Sequence, residues 1–472
     1  MMTMIKPIIL SAMLPLAFVG CTSTNPKAAL DDVNKTVMTR TGQQMHGMSG
    51  DTVNALLQTN LTAPSAVTIA LLNNRSLQSE FEEVGISQAD LAQASRLRNI
   101  QIAGSWRFPD RPPSLVSAEY SAAGDFLDLL TLPARKKIAK RELEQTKLRV
   151  ANEVLRLAAE VQTAFYTVQA SEQLAKRLGV IAEVNEAAAD VAQRQSDAGN
   201  INDLELRNQQ ASAAQAQLDL MQAQAQARAD RERLNRLFGF SGERTHWKVA
   251  DELSGLPAME SRLENLESLA VSQRLDLALA RSQAESVAAA LRLKKNTRYL
   301  PGVTVGVDTE RSPDGQRVTG PNLTLELPLF DQGQPAVARL AAQYRQAQNN
   351  FAALENNVRS EVRQAQDALL ASRAAAEHYT KILLPQRQKI LRDTLLHYNA
   401  MQKSSYELLA AKERELIAER GYVGALRDYW IARAELERAV GGRLSGDVSP
   451  MPMPVKADSL EPEHEHHEKK DH

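Results

Sequence analysis

The chain repeats itself once, and that repetition constrains its fold more than any other feature. The first unit opens near Pro64, with Ala70-Leu71-Leu72-Asn73-Asn74-Arg75-Ser76-Leu77. The second opens near Leu263, with Leu269-Ala270-Val271-Ser272-Gln273-Arg274-Leu275-Asp276-Leu277 in the equivalent place. Glu205-Leu206 returns as Glu407-Leu408, and Leu234-Asn235-Arg236-Leu237-Phe238-Gly239 returns as Leu436-Glu437-Arg438-Ala439-Val440-Gly441, both 202 positions later. The final helices of the units therefore align without a gap. Turn signals repeat too: Gly199-Asn200 matches Met401-Gln402-Lys403, and Gly239 and Gly441-Gly442 stand where a helix C′ residue belongs. Gly179 and Pro385 are expected to interrupt the ascending helices at nearly equivalent points. The resulting division is a first repeat over 62–245, a linker over 246–262 and a second repeat over 263–445.

Within each unit an opening helix of about 25–35 residues leads to a β-patterned stretch and then to two long helical stretches. Val150, Val154, Leu157 and Val161 are spaced four, three, four, and Val358, Val362, Ala365 and Leu369 keep that spacing. This is the seam of coiled-coil packing. A cytoskeletal coiled coil shares it, but a filament would not pause for strands.

The strands alternate strictly. Ile100, Ile102, Gly104, Trp106 and Phe108 alternate with Gln101, Ala103, Ser105 and Arg107; beyond the turn formers Pro109 to Pro113, Val116, Ala118 and Tyr120 alternate with Ser117, Glu119 and Ser121. In the second unit Val303, Val305 and Val307 alternate with Thr304, Gly306 and Asp308, Pro313-Asp314-Gly315 makes the turn, and Leu323, Leu325 and Leu327 alternate with Thr324 and Glu326. A soluble sheet packed on helices has this pattern, and so does a transmembrane barrel. Strands of about 9–11 residues cross a bilayer when tilted. Arg107, Glu119, Asp308 and Glu326 are candidate lumen residues on the polar face; each is a polar-face residue first and a selectivity element second. Four strands cannot close, and open edges cannot face lipid. Two copies give a side-chain-filled barrel of eight strands, whereas three give twelve and room for a channel.

The ends of the chain carry different signals. Residues 1–20 read as a lipoprotein signal peptide: Lys6, an apolar run from Pro7, then Gly20 before Cys21, the only cysteine. An ordinary signal peptide with an incidental thiol is the competing reading; acylation of Cys21 accounts for both its position and the lack of other cysteines. Residues 21–61 are polar and read as an extended tether. The tail, 446–472, reads as disordered and His-rich. His464, His466, His467 and His472 among carboxylates suit Cu(II), Zn, Ni or Co, and the thioethers of Met451 and Met453 and of Met45 and Met48 suit Cu(I). A solvated tail without a ligand fits the composition equally. The net charge of −1 gives no reason to expect nucleic acid. No phosphate-cradling Gly loop, helical zinc motif or nucleophile elbow is present, so no enzyme is indicated.

The signal segment ending in Cys21, the two units, Arg274-Leu275-Asp276-Leu277 and Leu327-Pro328-Leu329-Phe330-Asp331-Gln332-Gly333 together resemble the TolC-like outer-membrane efflux proteins over residues 62–442. The first unit has Leu132-Pro133-Ala134-Arg135 at the corresponding junction, without the Phe and Gly. The resemblance implies a mostly helical fold with transmembrane β-structure: two tandem helix–β-hairpin–long α-hairpin repeats, trimerising into a 12-stranded barrel and a periplasmic helical tunnel. It implies as partners outer-membrane lipid, a periplasmic adaptor and an inner-membrane pump. The helical tips, Gly199-Asn200 and Met401 to Lys403, would face that pump, and Asp197 and Asp203 beside the first tip are gate candidates, with solvated helix-cap residues as the competing reading. A passive export duct, with heavy-metal cations as one substrate class, is the leading expectation. A poreless periplasmic adaptor or structural coiled-coil lipoprotein is the other.

Overall fold

Ahead of the repeats, Pro26–Thr41 form helix α1 and Gly50–Leu57 form α2. The computed structural model describes residues 26–42, 50–108, 110–111, 115–260, 263–297, 299, 302–326 and 329–444. The extended tether is thereby corrected where it is described. Ala29, Val33 and Val37 recur every fourth residue and are buried, and α1 lies against the long helix of the first repeat. A single stripe of three small side chains is too narrow to register as a helical period without the surface it packs on.

The repeats then follow in register. The first comprises α3 (Ala63–Asn73), α4 (Arg75–Ala94), β1 (Gln101–Arg107), β2 (Ser117–Asp125), α5 (Phe126–Asp197) and α6 (Asp203–Phe238). The second comprises α7 (Leu266–Gln273), α8 (Leu275–Thr297), β3 (Gly302–Arg311), β4 (Arg317–Glu326), α9 (Gln334–His378), α10 (Leu384–Asn399) and α11 (Ser405–Val440). The opening helix expected in each unit is in fact two, split at Asn74 and at Arg274, both with extended backbone. The split ties off the unit's last helix. Asn74 Nδ2 donates to Leu237 O at 2.8 Å, and Arg274 Nη1 donates to Ala439 O at 3.4 Å. Those carbonyls sit at equivalent positions, 202 residues apart, near helix ends that lack intrahelical partners.

The ascending helices differ. α5 runs unbroken through Gly179, 72 residues long, so the expected interruption there is absent. A glycine weakens a helix but keeps its N–H, and Leu178, Ile181 and Ala182 are buried around it. Pro385 has no N–H and crowds the carbonyl four residues back, and the chain widens into a π-turn over Tyr379–Leu383, between α9 and α10. Tyr379 fills the space above Gly421 of α11, where a Cβ would meet its ring.

Both seams are core. Val150, Val154, Leu157 and Val161 pack with Ile69, Leu234, Phe238 and Trp247; Val358, Val362 and Leu369 pack with Leu266, Leu277, Tyr429 and Leu436. The inter-repeat linker is a strap across these rods. Leu61 N donates to Lys248 O at 2.8 Å, and Gln169 Nε2 donates to Ala250 O and Glu252 O at 3.1 and 2.9 Å. Trp247 is buried and donates to Asn235 Oδ1 at 2.7 Å. At its far end Glu260 receives Arg373 at 2.8 Å, Arg433 at 3.3 Å and the Tyr429 hydroxyl at 2.8 Å.

Candidate functional site

The strands of both repeats join in one antiparallel sheet of order β1-β2-β3-β4, with β1 and β4 as open edges. β1 is the shortest at seven residues, two fewer than its alternation suggested, and β3 and β4 have ten each. Directly paired residues share a face, so the ladder fixes what each face carries. One face bears Ile102, Ala122, Val307 and Pro321 on a single rung, then Gly124, Val305 and Leu323, then Val303 and Leu325 toward the helices. Ile102 is 77% exposed and Leu323 62%, so among the described residues nothing covers this face. Pro321, which has no N–H to donate, lies on β4, an edge strand of the chain's own four-stranded sheet.

The opposite face is polar and holds all four predicted lumen residues, at several depths. Arg107 sits at the outer end of β1 and pairs with Glu119 at 3.8 Å. Asp308 lies opposite Ser121, midway, and Glu326 lies opposite Gly302, at the end joined to the helices. The sheet adds a residue that the alternation had not been followed far enough to include: Glu310, two positions past Asp308 and directly opposite Glu119. The face is thus mainly acidic, with Arg107 answering only part of that charge.

The other end of the molecule is the pair of helical tips. Gly199 (φ 74°) and Met401 (φ 60°), at equivalent positions, turn the hairpins between α5 and α6 and between α10 and α11. α6 is capped by Asn202, whose Oδ1 accepts from Glu205 N at 2.8 Å, and α11 by a Ser404–Glu407 capping box. Asp197 accepts from Gln193 at 2.8 Å, and Asp203 lies 3.5 Å from Arg207; both are exposed and engaged on their own helices. The first hairpin meets the second through Tyr406, whose hydroxyl donates to Gln195 at 2.7 Å, and through Arg177, 3.1 Å from Glu419. Cys21, His464, His466, His467 and His472 lie outside the described residues, as do Leu327 and Pro328. Among the described residues no group of three or more His, Cys, Asp or Glu side chains could hold a metal ion, and no helix is long and apolar enough to cross a membrane.

Long paired rods carrying a small sheet with one apolar and one polar face have the fold of solved outer-membrane channels. In sequence the chain is 21% identical over 394 residues to the cobalt-zinc-cadmium resistance protein CzcC of Cupriavidus metallidurans, spanning 81% of this chain and 90% of that protein. Its structure matches the CmeC outer-membrane channel of Campylobacter jejuni with a TM-score of 0.69 at 15% identity, covering 82% of this chain and 90% of that one. It matches the transmembrane channel protein CusC with a TM-score of 0.66 at 16% identity, covering 82% and 93%. No protein-family model matches the chain.

Proposed function

We propose that three copies of this chain form the outer-membrane channel of a tripartite efflux system, passively conducting substrate from periplasm to exterior. The observation that carries this reading is the sheet: a two-faced ladder with uncovered Ile102, Val305, Val307, Leu323 and Leu325 and two open edges. Such a surface is stable only where lipid covers the apolar face and other strands close the edges. β4 of one copy pairs with β1 of the next, which gives twelve strands around a wet lumen lined by the acidic face. The helical rods stand in the periplasm, and their tips meet an adaptor and an inner-membrane pump that supplies the energy. A poreless coiled-coil adaptor would leave the apolar face without a covering.

Cys21 carries the lipid anchor on this reading, and the substrates are heavy-metal cations. Support for the cargo comes from the likeness to CzcC, named for cobalt, zinc and cadmium resistance, and from the histidines of the tail. The tail gathers divalent ions in the periplasm through His464, His466, His467 and His472. Planar-bilayer recording tests the channel: stepwise conductance of the purified full-length protein is expected, and its absence even after the tips are opened would refute the duct. A deletion strain is expected to lose tolerance to cobalt, zinc, cadmium or copper. A strain lacking 446–472 that keeps full tolerance would remove the tail from the mechanism.

A further inference from the structure

The apolar face of the sheet is graded along its length, and its outermost rung breaks the pattern. Nearest the helices the rungs hold Val and Leu. Farther out comes a rung of Gly104, Tyr120, Thr309 and Thr319, with the two threonine hydroxyls 2.8 Å apart. The last rung is Trp106, Ala118, Arg311 and Arg317. The Trp106 ring lies over Gly104, where a Cβ would come within 3.1 Å of it, and its Nε1 donates to the Tyr120 hydroxyl at 3.1 Å. This sequence of bands, aliphatic, then Thr and aromatic, then cationic, is the depth profile of a surface passing from lipid chains to headgroups.

Arg311 and Arg317 are directly paired. Ser312 N donates to Gln316 O at 2.9 Å across the same turn, which makes the arginines a non-hydrogen-bonded pair, the kind whose side chains stand closest. Like charges so placed repel. Among the described residues neither guanidinium has an ion-pair partner, and both side chains are exposed. The nearby turn carboxylate, Asp314, accepts from Gln316 N, and Glu310 stands on the opposite face. Two unneutralised guanidiniums, side by side on the lipid-facing surface at headgroup depth beside a Trp–Tyr pair, match a phosphate in charge and in fork geometry.

We propose that Arg311 and Arg317, with Trp106, form a binding site for the phosphate of an outer-leaflet lipid, which neutralises the pair and fixes the barrel's depth in the membrane. The site rests on the channel reading, because the face meets lipid headgroups only if the sheet lies in the outer membrane.

The test uses full-length protein assembled in detergent, with lipid A bearing its phosphates and lipid A stripped of them as the probes. Heat dissociation of the oligomer is the readout. Phosphorylated lipid A is expected to raise the dissociation midpoint of the wild type, with an apparent affinity about tenfold weaker for R311Q/R317Q. The phosphate-free lipid is expected to act weakly and equally on both proteins. Should the double variant fail to assemble, R317Q and R311K/R317K are titrated instead, with R311K/R317K keeping the charge but losing the fork and binding at intermediate strength. An equal response of wild type and neutral variants to phosphorylated lipid A overturns the site while leaving the channel intact. Wild-type protein that neither oligomerises nor conducts overturns the channel reading and the site with it.

Discussion

Met401 has a left-handed backbone at a position where the first repeat has glycine. Each tip is closed by the same set of bonds: Ala198, Gly199 and Asn200 donate to Arg194, Ser196 and Gln195 carbonyls, and Ala400, Met401 and Gln402 donate to Leu396, Tyr398 and His397 carbonyls. Met401 is 95% exposed, so packing returns nothing for a conformation that costs a non-glycine residue about 1 kcal/mol. Met401→Gly is expected to strengthen the second tip by about that amount, read as slower amide exchange at residues 400–402. A second residue-scale prediction concerns Tyr429. Burial first, and then its bond to Glu260, push its hydroxyl from 10 up to about 12. The unfolded chain therefore gives up this proton at lower pH than the folded one, and the stability present below pH 10 drains away as pH rises toward about 12. Tyr429→Phe should lessen the fall in melting temperature across that window; an unchanged alkaline profile would contradict the assignment.

At the scale of elements, Gly306 fixes the joint between the repeats. A Cβ there would lie 2.7 Å from Ala122 O and 2.9 Å from the Ala123 side chain, where β2 and β3 pair. The crowding is against backbone, which cannot swing aside. Gly306→Val is expected to part the two hairpins and to reduce the yield of folded oligomer several-fold, while helical circular dichroism from the separately packed rods is kept. How far the elements were legible followed from their physics. Long seams such as Val150 to Val161 announce themselves because one face is buried along its whole length. The breaks at Asn74 and Arg274 do not, because the carbonyls they satisfy are more than 160 residues away in sequence. Gly179 and Pro385 look alike as punctuation, yet only the proline removes a donor, and only there does the helix change pitch.

The whole molecule gains its chemistry from the sheet register. Glu119 and Glu310 face each other across β2 and β3, with Asp308 one rung inward. Like charges paired this way cost stability in a closed core and are tolerable beside water. In the proposed trimeric channel they would form an acidic band around the lumen. The E119Q/D308N/E310Q variant is expected to conduct with weakened cation preference, seen as a reversal potential moved toward zero under a salt gradient. A reversal potential identical to wild type would place selectivity elsewhere, for instance at the tips near Asp197 and Asp203.

The sequence alone determined the duplication, the succession of helix, β-hairpin and long helical hairpin within each repeat, and the two-faced character of the strands, because each is written in local periodicity: a seam of 3.5 residues for the rods and of two for the strands. It also placed Arg107, Glu119, Asp308 and Glu326 on the polar face, since alternation needs no partner to be read. Only the tertiary structure decided that the two hairpins join through β2 and β3 into one sheet with β1 and β4 open. Only it set Glu310 against Glu119 and Arg311 against Arg317. Register is a relation between segments distant in the chain, fixed by close approaches such as Gly306 on Ala122, and no local pattern carries it.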